Sequence, residues 1–173
     1  MRENDKRIEN KQAEETINTV SDSLLSNFLI DWENYKVIWR TNSKIEWEKL
    51  WVNVKNPVPI YYLEWAWIRK GWYNINEDYI LMFSNADDET LKHEIIHSIE
   101  YRQKPTKELE EFYEMVKIDI TEDSFEGWAV SFNFQKNIHE FIADGYSKEI
   151  FINALKKENL YAEFLDKTEY LFE

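Results

Sequence analysis

Cysteine is absent from all 173 residues, so disulfides are excluded and any bound metal must be held by histidine and carboxylate side chains. Basic residues are also short. Against 34 Asp and Glu stand 21 Lys and Arg, a formal net charge of -13, which argues against a nucleic-acid or anionic-membrane partner, since either would need a basic face. An acidic shell suits a cationic substrate or plain solubility. No stretch approaches the roughly 20 apolar residues of a membrane-crossing helix. The polar start, Met1-Arg2-Glu3-Asn4-Asp5-Lys6, lacks the apolar core of a signal peptide, and the chain as it stands reads as soluble. There is no internal repeat and no low-complexity tract. The length suits one domain, residues 1–173, with a sizeable core, and the expected state is a monomer.

Histidine is rarer still, at three residues, and two of them stand in His93-Glu94-Ile95-Ile96-His97. With histidine this scarce, a chance match to H-E-x-x-H has odds of about one in a hundred or lower. On a helix, positions i and i+4 lie one turn apart on one face, so His93 and His97 offer two imidazole nitrogens to one ion while Glu94 lies beside it to handle a proton. The surroundings favour a helix. Ser84 to Thr90 supply turn and capping residues, and Leu91, Ile95, Ile96 and Ile99 form an apolar stripe, predicting a helix from near Asp87 to before Pro105. The plain alternative is an amphipathic helix whose two histidines are incidental.

Upstream, apolar positions between Asp5 and Ile30 predict a long amphipathic helix packed on the domain, and Tyr35–Arg40 predicts a short strand. Ser43-x-x-Glu46 reads as a capping box, and Asn56-Pro57-Val58-Pro59 as a break. Ile60–Ile68 and Tyr79–Phe83 read as strands around a turn at Lys70-Gly71. Beyond Pro105 the pattern predicts helices at about 106–118, 122–132, 138–152 and 155–170. The fold class that follows is α+β: a small mixed β-sheet, then a helical half, with the metal-binding helix at the junction.

Two histidines leave a catalytic zinc one protein ligand short. In His139-Glu140-Phe141-Ile142-Ala143-Asp144, Glu140 and Asp144 share one helix face, so that Glu140 can ligate while Asp144 accepts a hydrogen bond from the far nitrogen of a ligand histidine. Taken alone, such a pair reads as a solvated face. Glu126, in Glu126-Gly127-Trp128-Ala129, is a rival, since some zinc peptidases place a ligand in a similar string; its partner four residues on, Val130, cannot support a histidine. His139 is a further alternative, as ligand or as neighbour.

The two motifs together resemble the gluzincins, and more narrowly the anthrax lethal factor family with its small secreted Pro-Pro endopeptidases. The resemblance spans about residues 79–165. It implies one zinc on His93, His97 and Glu140, Glu94 as general base, Asp144 in place of the family's second acidic residue, a secreted setting, and a peptide or protein substrate. The family carries a tyrosine seven residues before the ligand glutamate, whose hydroxyl stabilises the oxyanion. Here that position is Asn133, between Phe132 and Phe134. Asn133 or His139 is expected to donate instead, with Tyr101 and Tyr146 as further candidates. The expected function is thus a zinc endopeptidase, and the alternative is a catalytically weak, toxin-like zinc domain that binds a partner protein. A strand edge at Ile60–Ile68 or Tyr79–Phe83 is expected to receive a peptide, with Tyr61, Tyr62, Trp65 and Trp67 either lining the cleft or, more simply, packing the core.

Overall fold

Tyr79–Phe83 is a run of five buried apolar residues, the pattern of a strand covered on both faces, and it forms the middle of the architecture. The computed structural model describes residues 27–30, 33–48, 54–64, 70–126 and 133–173, the side chains of 47 and 48 excepted. The five strands are β1 (Asn27–Ile30), β2 (Glu33–Asn42), β3 (Pro59–Leu63), β4 (Gly71–Asn74) and β5 (Tyr79–Phe83), in the order β1-β2-β3-β5-β4. β3 and β5 run parallel; the other pairs are antiparallel. Alternation divides β5 between two cores. Ile80 and Met82 face the helical half, whereas Tyr79, Leu81 and Phe83 meet Phe28, Ile30, Val37, Leu63 and Trp72 on the other face. Phe28 of β1 reaches the Tyr79 ring, 5.8 Å between centroids, across two intervening strands, so the sheet is curled.

The helices are α1 (Ser43–Glu48), α2 (Asp88–Glu100), α3 (Lys107–Asp119), α4 (Ile138–Ser147), α5 (Glu149–Lys157) and α6 (Tyr161–Thr168), with 3-10 turns at Glu122–Ser124, Asn133–Gln135 and Glu169–Phe172. The fold is α+β, a mixed sheet followed by helices, and α2 follows directly from β5. α2 packs on β4 and β5 on one side and on α4 on the other.

Several expectations are corrected. Residues 1–26 of the expected N-terminal helix lie outside the described residues, but Asn27–Ile30 is a strand, because Phe28 and Ile30 point inward with period two. α1 is capped by Asn42, whose Oδ1 accepts from Ile45 N at 3.0 Å; Ser43 instead accepts from Val58 N at 2.8 Å, so no capping box forms there. β3 and β5 are interior strands, and the sheet edges are β1 and β4. Residues 122–124 make only a 3-10 turn; 127–132 lie outside the described residues, as do Trp65 and Trp67. The helix expected over 138–152 breaks at Lys148, which is extended and serves as C-cap of α4 and N-cap of α5. The break aims Phe151 back at the core, stacked on Phe134 with centroids 4.6 Å apart.

Candidate metal centre

Asp87 starts α2: its Oδ1 accepts from Thr90 N at 2.8 Å and from the Thr90 hydroxyl at 2.7 Å, and these bonds, the side-chain one foremost, hold its pKa below the usual carboxylate value. With the helix phase so fixed, His93, His97 and Glu100 stand at i, i+4 and i+7 on one face. α4 is set in the same way. Asn137 accepts from Glu140 N at 2.9 Å, which places Glu140 in the first turn and Asp144 one turn further along.

The two helix faces meet across a short gap. Nε2 of His93 lies 3.1 Å from Glu140 Oε2, Nε2 of His97 lies 3.3 Å from Glu140 Oε1, and the two Nε2 atoms are 3.0 Å apart. His93, His97 and Glu140 form a group that can hold a metal ion. Behind His93, Asp144 Oδ1 lies 3.0 Å from Nδ1, an ion-pair contact that departs from straight hydrogen-bond geometry. Behind His97, Nδ1 donates to Glu100 Oε1 at 3.1 Å. The second Glu100 oxygen accepts from His139 Nδ1 at 2.7 Å. An unbroken row of alternating acids and bases, Asp144, His93, Glu140, His97, Glu100 and His139, thus runs along the α2–α4 contact.

The row fits a cation at its centre. Each imidazole faces a buried carboxylate through Nδ1, which puts a proton there and leaves the lone pair of neutral histidine on Nε2. Two such lone pairs 3.0 Å apart, with a carboxylate between them, repel unless a positive charge lies among them. Without metal that charge is a proton. Burial lowers the pKa of His93, but Asp144 and Glu140 outweigh it and push it up to about 10. Burial likewise opposes the charged form of His97, and Glu100 and Glu140 raise its pKa nonetheless. Glu140 is shifted the other way: burial raises its pKa, yet the two imidazoles bring it far below the carboxylate range. The separations among these ligand atoms, 3.0, 3.1 and 3.3 Å, are close enough for one cation to be shared by all three side chains.

Comparison with family models, curated proteins and solved structures finds no match to this chain.

Glu94 is 7 % exposed and close enough for its charge to raise the pKa of both imidazoles, and its Oε2 has no hydrogen-bond partner among the described residues. Of the rivals for third ligand, Glu126 is exposed after the 3-10 turn and stands outside the group, and His139 lies behind His97, on its Nδ1 side. Asn133 does reach the centre, where its amide donates to Glu140 Oε2 at 2.8 Å. Tyr101 stacks on His139, centroids 4.1 Å apart, and lies 5.4 Å from the His97 ring. The Tyr146 hydroxyl is 2.5 Å from Thr168 Oγ1, with its ring against Phe164 and Phe172. Sequence reasoning missed Glu100. Its one signal was position: three residues after His97, on the face the two histidines define.

Proposed function

We propose that this chain is a zinc-dependent endopeptidase of the gluzincin type, resembling the lethal factor and Pro-Pro endopeptidase group, with one zinc per chain on His93, His97 and Glu140. The observation that carries this reading is the convergence of both Nε2 atoms and the Glu140 carboxylate, near a buried Glu94 oxygen that has no hydrogen-bond partner among the described residues. A zinc ion there supplies Lewis acidity, polarising a carbonyl oxygen and acidifying water. Glu94 takes the proton from water as its oxygen bonds the carbonyl carbon, then gives it to the amine as the C–N bond breaks. Asp144 fixes the tautomer of His93. Asn133 spends one amide hydrogen on Glu140 and keeps a second for the oxyanion.

His93 and Glu140 keep partial exposure, at 13 % and 17 %, so the centre opens to solvent on their side while His97 is enclosed. β4 is an edge strand that packs against α2, and it is the edge at which an extended peptide would add. A second reading, a zinc-bearing domain that binds a partner protein without turnover, is favoured by one observation: Asn133, at the place of the family's tyrosine, is already engaged by Glu140. Incubating the zinc-loaded protein with a broad peptide mixture, with and without chelator, tests the proposal. Chelator-sensitive cleavage supports an enzyme; an intact mixture in both arms favours the binding domain.

A further inference from the structure

Glu100 is a buried carboxylate, 1 % exposed, that the mechanism above does not use. Its position is unfavourable on two counts. Burial strips a charged group of water, and the last turn of a helix presents carbonyl ends that repel an anion. Both Glu100 oxygens are nonetheless satisfied, one by Nδ1 of His97 on its own helix and one by Nδ1 of His139 on α4. His139 is itself braced, lying flat on Tyr101 with the rings 17° from parallel. On the other side of the candidate site a second buried carboxylate, Asp144, also 1 % exposed, faces Nδ1 of His93 at 3.0 Å, there as an ion-pair contact without straight hydrogen-bond geometry.

We propose that Glu100 is the positioning residue for His97: it fixes the proton on Nδ1 and aims Nε2 at the metal, while His139, held against Tyr101, keeps Glu100 in place. His139 therefore serves the centre from behind and is not the oxyanion donor. This inference rests on the metal-site reading above. Helical side chains lean toward the N-terminus, so Glu100 reaches back over the turn that carries His97, and α4 brings His139 to its outer oxygen. The pair also links α2 to α4 at the end of the row opposite Asp144.

Cobalt(II) is the probe, since its visible absorption reports ligand geometry and its affinity can be read against a competing chelator. With the full chain, Glu100→Gln is expected to weaken metal binding about 10–100-fold and alter the cobalt spectrum, as loss of such a partner does elsewhere. His139→Phe, which keeps a ring on Tyr101 but removes the donor, is expected to shift affinity in the same direction by less. His139→Asn, whose amide offers an N–H near the place of Nδ1, is expected to restore wild-type binding. Circular dichroism of the metal-free proteins shows which variants fold; should Glu100→Gln not fold, the His139 pair carries the test. Wild-type affinity and spectrum in folded Glu100→Gln would overturn the inference. So would a normal His139→Phe beside an impaired His139→Asn, since that pattern belongs to ring packing alone. A wild-type chain that binds no cobalt would instead remove the metal-site reading itself.

Discussion

Asp144 Oδ1 stands 3.0 Å from Nδ1 of His93, joining the carboxylate of one helix to an imidazole of another whose Nε2 belongs to the group that can hold a metal ion. Lys148, at the break after α4, lies 3.7 Å from the same oxygen. A ligand histidine whose ring plane and tautomer are set in this way binds metal more tightly, so Asp144→Ala is expected to weaken zinc binding about 10–100-fold. Competition against a chromophoric chelator checks this, and unchanged affinity would leave the contact without a role at the metal.

The metal-free protein should lose stability as the solution turns alkaline. The His93 pKa of about 10 lies above the value near 6.5 of an unfolded histidine. Its contribution is therefore complete below about pH 6.5 and disappears as pH rises through about 10. Glu140, with its depressed pKa, contributes above the ordinary carboxylate range and loses that contribution in acid. Urea midpoints of chelator-treated protein are expected to fall between pH 7 and pH 10. Zinc affinity should rise over the same interval, because the ligand nitrogens must shed their protons. A flat midpoint profile would contradict the paired cluster.

Gly145 follows Asp144 on α4, and a Cβ there would lie 2.1 Å from Cζ of the buried Phe164 on α6. A helical glycine ordinarily gains about 1 kcal/mol on change to alanine. Here overpacking against the Phe164 ring should win, and Gly145→Ala is expected to destabilise the fold by about 1–3 kcal/mol, measured by urea unfolding. A stabilised variant would show that Phe164 is free to move aside.

The helix that carries His93 and His97, and its surroundings, were legible in the sequence because each signal was local. Asp87 caps, the i and i+4 histidines share a face, and the five apolar residues of β5 need no tertiary knowledge. The second motif could be read for the same reason, since Glu140 and Asp144 lie one turn apart. What escaped depends on long-range partners. Phe28 and Ile30 alternate over only four residues, too few to announce a strand until β2 pairs with them. Gly71 looks like a turn residue, yet it opens β4, paired with Met82 so closely that a Cβ there would lie 2.6 Å from Met82 Sδ. Lys148 ends α4 without a glycine or proline to mark it, and Glu100 gained significance only when α4 brought His139 to its second oxygen.

In the proposed enzyme Glu94 works as a base beside a metal held by His93, His97 and Glu140. Cleavage of a broad peptide mixture by zinc-loaded wild type and by zinc-loaded Glu94→Ala tests it most directly, with metal content measured on both samples. The expected result is one zinc per chain in each, products from the wild type, and none from the variant, since in the proposed mechanism Glu94 moves protons and does not ligate. Equal cleavage by both proteins, or none by either at full zinc loading, would contradict it.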